Sequence, residues 1–149
     1  DISKKELKAV LKKVDVLILN DEEARMLTGQ RNLVTAGGKM LHMGPKVVVI
    51  KKGEHGAVLI SKDSYFSAPA YPLAQIKDPT GAGDTFAGGF IGWLARTNDI
   101  SVVNMRKAVI YGSALASFCV EEFSIDGIRA LSAEQLADRF ATFRAISNF

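Results

Sequence analysis

Branched apolar residues occur in short, dense runs along the first half of this chain. Asp15–Leu19 and Lys46–Lys51, the second containing Val47-Val48-Val49-Ile50, have the length and character of strands buried on both faces. Ala57–Ser61 and Tyr65–Ala68 follow, separated by an Asp63-Ser64 turn, and Gly53-Glu54-His55-Gly56 turns the chain ahead of them. Elsewhere a helical period takes over. Ser3–Lys13 places Leu7, Val10 and Leu11 on one stripe. Asp21–Leu27 opens on acids and stops at Gly29, and Leu33–Met43 predicts a further helix weakened by Gly37 and Gly38. Tyr71–Ile76 leads into a glycine-rich loop. Gly83–Ala95 and Val102–Glu121 then predict two long helices, and a Ser132/Gln135 capping box opens a last helix reaching about Phe143. Strands alternating with helices predict an α/β fold, a largely parallel sheet covered by helices. No repeat, low-complexity stretch or linker divides residues 1–149, so they are read as one portion.

Composition changes this picture little. A chain of 149 residues, 48% apolar, is long enough for a core and has an ordinary soluble composition. The net charge of +3 suits a small anionic ligand without requiring one. No Arg/Lys stripe with interleaved aromatics is present, which argues against nucleic acid as a partner. The apolar runs are too short and too interrupted to predict a membrane span, and Asp1–Lys13 is too charged for a secretory signal. The single cysteine, Cys119, excludes an internal disulfide and lies in an apolar helical run, which predicts a buried structural thiol. A reducing, cytoplasmic setting fits that usage.

The chemistry concentrates in residues 78–90, Asp-Pro-Thr-Gly-Ala-Gly-Asp-Thr-Phe-Ala-Gly-Gly-Phe. Gly81, Ala82 and Gly83 stand just ahead of an apolar helical run, and Asp84 sits where that helix begins. Unpaired amides at a helix start attract anions, and small residues let a phosphate approach the backbone. A carboxylate beside such a cradle is placed to take a proton from an attacking hydroxyl. On their own, the same letters also describe a turn and a helix cap. Asn20-Asp21-Glu22-Glu23 follows a predicted strand, where ligands of open α/β sheets gather, though taken alone these residues favour a helix start capped by Asn20 and Asp21, with Glu22 and Glu23 complementing its dipole.

The segment 78–90 resembles the C-terminal signature of the ribokinase-like (PfkB-type) carbohydrate kinases almost letter for letter. The resemblance implies a ribokinase-like fold and an ATP-dependent phosphotransferase acting on a sugar hydroxyl. It makes Asp84 the general base and Gly81, Ala82 and Gly83 the anion hole. Asn20 and Glu23 match the family's N-x-x-E motif, which implies that Glu23 holds hydrated Mg²⁺ and that Asn20 lies by the nucleotide phosphates. Lys51, Gly53 and Gly56 resemble the strand and G-x-x-G turn bordering the nucleotide, with Lys51 facing the phosphates. Gly112, Ser113 and Ser117 fall on the helix that flanks adenine, where close helix packing is the competing account of the same small residues. Lys52, His55 and His42 read as solvated, and Trp93, Phe86 and Phe90 as core.

The motifs span residues 19 to about 124 in family order, so the chain looks like the C-terminal half of such a kinase. The family's N-terminal half, with its sugar-binding residues and lid, is expected to lie outside it. The chain alone then supplies cradle, base and nucleotide pocket but little of the acceptor pocket. Self-association, or pairing with that other half, follows as an expectation. Many members also bind K⁺ through residues matching Asp78 and Thr80 and a later loop. That loop reads Glu121-Glu122-Phe123-Ser124 here and departs from the basic-Gly pattern, which leaves K⁺ open. The alternatives are a nucleoside (adenosine-type) kinase and a nucleotide-binding fragment without catalysis of its own.

Overall fold

The computed structural model describes residues 4–123 and 125–149; the predicted first-helix start at Ser3 and the end of the Glu121–Ser124 loop lie outside them. The elements are α1 (Lys4–Leu11), β1 (Val16–Asn20), α2 (Asp21–Thr28), α3 (Leu33–Leu41), β2 (Val47–Lys51), a 3₁₀ turn (Gly53–His55), β3 (Ala57–Ser61), β4 (Ser64–Ala68), α4 (Ala82–Thr97), α5 (Val102–Glu121), α6 (Asp126–Arg129) and α7 (Ala133–Ile146). They group into two compact units: residues 1–53 with 57–67, and residues 54–56 with 68–149.

The first unit is built on a four-stranded sheet in the order β1-β2-β3-β4. β1 and β2 are parallel, and the α2–α3 segment supplies the crossover that parallel neighbours need. β2 and β3 are antiparallel, because only residues 52–56 join them, too few for a crossover. The sheet is therefore mixed, and its parallel character in this chain belongs to the β1–β2 pair. Every residue of Val47–Ile50 and Ala57–Ile60 is buried, as dense runs of branched residues require. On one face, Leu19, Val48, Ile50, Val58 and Ile60 pack with Ala24 of α2 and Ala36 and Met40 of α3. Alternate strand positions share a face, so this set is the period-2 partner of the helical stripe.

The second unit is dominated by α4 and α5, joined through residues 98–101. Phe86 and Phe90 are buried, as expected of core residues. A Cβ on Gly112 would lie 2.6 Å from the Phe86 carbonyl oxygen, so a glycine is what lets α5 close on α4. Asn104 locks the other end of the pair. It accepts from Trp93 Nε1 at 2.9 Å and donates to Thr97 Oγ1 and the Asp99 carbonyl, each at 2.7 Å. Trp93 in turn stacks on Phe140 of α7, with ring centroids 5.5 Å apart. The last helix opens with the predicted Ser132/Gln135 capping box. The four-residue α6 is too short to leave a periodic signal and was not legible beforehand.

Candidate functional site

In the first unit the parallel register sets Asn20 beside Lys51 at the carboxyl ends of β1 and β2. Asn20 Oδ1 accepts from the Glu23 amide at 2.8 Å, and Glu23 Oε2 accepts from the Asn20 amide at 2.9 Å. This reciprocal pair is a complete capping box. The capping box is therefore observed for Asn20 and Glu23, while Asp21 is the first residue of α2. The box uses one oxygen of the exposed Glu23 carboxylate and leaves the other facing solvent. Asp21 pairs with Arg25 one turn on; the Arg25 hydrogen bond holds the Asp21 carboxyl below its ordinary value. Lys51 is half-buried and Gly53 adopts φ 56°.

In the second unit Gly56 adopts φ 82°, and a Cβ there would strike the Ala68 carbonyl, so the turn admits glycine. The loop before α4 is organised by backbone and Asx contacts. Asp78 Oδ1 accepts from the Thr80 amide at 2.9 Å. The Val120 carbonyl accepts from the amides of Lys77 at 2.9 Å and Asp78 at 3.4 Å. The Cys119 thiol, buried as expected, donates to the Thr80 carbonyl at 3.8 Å.

The helix starts at Ala82, one residue before the predicted Gly83. Gly81 is the N-cap, and Ala82 and Gly83 already belong to the first turn of α4 rather than preceding it. The cause is Gly81 itself, whose φ of 81° reverses the chain into the helix in a conformation that costs other residues about 1–2 kcal/mol. No side chain caps this end. Ala82 N–H reaches the Pro79 carbonyl at 3.3 Å, and the first helical bond runs from Thr85 N–H to the Gly81 carbonyl at 2.9 Å. The amides of Gly83 and Asp84, between them, have no acceptor within the helix. The Asp84 side chain stands exposed in this first turn.

The three residues expected on the adenine side part company. Gly112 is buried against Phe86 and has the packing role already described. Ser117 is buried too; its hydroxyl donates to the Ala114 carbonyl at 2.6 Å and accepts from Arg139 Nη1 at 3.0 Å. These contacts are the close packing that competes with the adenine-side account of the same small residues. Ser113 remains half-exposed. His55 and His42 are surface groups, as expected.

Sequence reasoning missed Arg139. Its guanidinium forks onto Glu121 at 2.7 and 3.3 Å and lies 3.5 Å from the Phe118 ring centroid and 4.2 Å from that of Tyr71. Arg139 and Glu121 lie far apart in sequence, and no short motif marks such a pair.

A family model described as pfkB family carbohydrate kinase matches residues 1–127. The chain belongs to that family. A cytidine kinase of Thermococcus kodakarensis is 39% identical over 92 residues, covering 60% of this chain and 33% of its own. Among solved structures, aminoimidazole riboside kinase of Salmonella enterica, complexed with aminoimidazole riboside and an ATP analogue, superposes with a TM-score of 0.81. It covers 95% of this chain and 47% of its own at 23% identity, which speaks to fold. Arabidopsis thaliana ribokinase complexed with ribose and ATP gives a TM-score of 0.75 at 26% identity, covering 89% of this chain and 43% of its own. This pfkB-family chain thus has a ribokinase-like fold and spans less than half the length of these relatives. Among the described residues, no helix is long and apolar enough to cross a membrane.

Proposed function

We propose that this chain carries the ATP-binding and catalytic portion of a kinase that moves the γ-phosphoryl of ATP to a sugar hydroxyl. The observation that carries the proposal is the start of α4. Two amides without helical acceptors and an exposed carboxylate share one turn, behind a glycine whose φ only a residue without Cβ adopts freely. Asp84 takes the proton of the acceptor hydroxyl as its oxygen attacks phosphorus and the bond to the ADP leaving group breaks. The Gly83 and Asp84 amides are fixed before the reaction and stabilise charge on the transferring phosphoryl oxygens.

In the first unit, the free oxygen of Glu23 and the Lys51 ammonium are the groups offered to the nucleotide's phosphates and their cation. Among the described residues, no cluster of three or more His, Cys, Asp or Glu could hold a metal. That donor set fits Mg²⁺, which keeps its waters and rests mainly on substrate phosphates. Bound there, the ion would supply neutralisation of phosphate charge. Asp78, whose Oδ1 accepts from the Thr80 amide, is the candidate residue for a monovalent cation such as K⁺.

A nucleoside acceptor is the second reading, favoured by the 39% identity to a cytidine kinase. Turnover by the full protein of ATP with a panel of sugars and nucleosides separates the two. In the same assay Asp84→Asn should lose about 10²–10⁴-fold in kcat, the usual scale of a general base. Near-wild-type turnover by that variant would falsify the assignment.

A further inference from the structure

Arg139 lies beyond the matched span of residues 1–127, yet its contacts lead to the catalytic loop. We infer that Arg139 is a positioning residue, which holds the loop 77–81 in register through the last turn of α5. The inference rests on the phosphotransfer reading of the α4 start.

Four contacts and one clamp tie Arg139 to the loop. Residues 119–122 hold the loop at Thr80 through the Cys119 thiol and at Lys77 and Asp78 through the Val120 carbonyl. They also hold it through the Glu122 carboxylate, which pairs with Lys77 Nζ at 2.7 Å. A displaced α5 terminus therefore displaces the N-cap Gly81 and the amides after it. That terminus is clamped by one guanidinium. Arg139 takes Glu121 with both terminal nitrogens, donates to Ser117 Oγ and lies between the rings of Phe118 and Tyr71. Its side chain is only 12% exposed. Tyr71 belongs to the segment that enters the loop, so the guanidinium fixes both the loop's approach and the helix end it rests on. Planarity and the fork are needed for this, and lysine offers neither.

The test compares Arg139→Lys and Glu121→Gln with Phe140→Leu in the full protein. Phe140 lies on the same helix and stacks on Trp93, so its truncation loosens α7 without touching the guanidinium. Glu121→Gln breaks the charge fork from the other side, should the lysine variant fold poorly. Both clamp variants should lower kcat about 10–100-fold, the scale of a small misplacement of catalytic groups, with acceptor KM changed less than about threefold. Amide hydrogen exchange over residues 77–85 should quicken by roughly tenfold while β2 and β3 stay protected. Phe140→Leu, compared at equal loss of Tm, should do neither. Unchanged exchange at 77–85 in the clamp variants, or the same exchange and kcat changes in Phe140→Leu, overturns the inference. Asp84→Asn with normal turnover would instead overturn the catalytic reading, and the exchange comparison would still decide the role of Arg139.

Discussion

Helices α2 and α4 begin in opposite ways, and each unit's chemistry follows from how its helix begins. Both carry an acid at the third helical position, Glu23 in α2 and Asp84 in α4. In α2 the N-cap is Asn20, extended at φ −87°, and its side chain lies over the Glu23 amide while Glu23 folds back onto the Asn20 amide. That end satisfies itself. In α4 the N-cap is a left-handed glycine with no side chain, and the acid is left exposed. Asn32, Ser101 and Ser132 cap α3, α5 and α7 as Asn20 caps α2. A glycine N-cap is worse than Asn or Ser by only a few tenths of a kcal/mol, so the bare start of α4 forgoes about that much. The difference separates an acid that commits one oxygen to its own helix start from one that caps nothing.

The sharpest way to break the comparison is to neutralise both acids. Asp84→Asn should lose about 10²–10⁴-fold in turnover with stability changed by less than about 0.5 kcal/mol, because the side chain is exposed. Glu23→Gln keeps the capping box, since the side-chain carbonyl also reaches the N-cap N–H, but removes charge offered to the Mg²⁺–phosphate group; it should weaken Mg²⁺–ATP binding more than it lowers kcat at saturation. Equal losses in the two variants would erase the distinction drawn between the two helix starts.

The second test concerns the amides. Gly83→Val places a branched side chain on the first turn of α4, and an ATP analogue should bind at least about tenfold more weakly, or ~1.4 kcal/mol. Unchanged affinity by calorimetric titration would remove the phosphate from this helix start. The third test concerns stability. Asn20→Ala removes a cap whose geometry is complete and should cost about 1 kcal/mol in urea unfolding. A much smaller cost would mean that the capping box contributes little to the first unit.

These contrasts also mark what could be read in advance. The strands, the capping box at Ser132 and the acid at Asp84 are local, period-bound features, and they stand where the pattern put them within a residue or two. The helix boundary at Ala82 moved because the backbone conformation of Gly81, which no letter states, decides where the helix starts. The mixed sheet was legible in principle from the short connection between Lys51 and Ala57, since so few residues forbid a parallel return. The packing contacts of Gly112 and Ser117 were not legible, because small residues on a helix carry no mark of which neighbour they admit. The Arg139 clamp was invisible, since its partners come from two separated segments and their meeting is a property of the packed chain alone.

The smallest effect tests the self-sufficient helix start at its ion pair. Asp21 opens α2 and pairs with Arg25, and the hydrogen bond from that guanidinium, opposed by slight desolvation, lowers the Asp21 pKa from 3.8. A carboxyl whose folded pKa is depressed adds stability above the unfolded value and loses it as pH falls through the folded one. Asp21→Asn should therefore cost most near neutrality and nothing once the pH is below both the unfolded and the lowered folded value. The side chains are 32% and 41% exposed, so solvent screening holds the cost to about 0.3–0.5 kcal/mol, the range of surface i,i+4 pairs. Urea midpoints at neutral and acid pH, repeated in about 1 M salt where the Debye length is about 3 Å, measure it. A cost that persists at low pH would assign Asp21 a neutral hydrogen-bonding role at the α2 start, and the ionic account of that end would have to be given up.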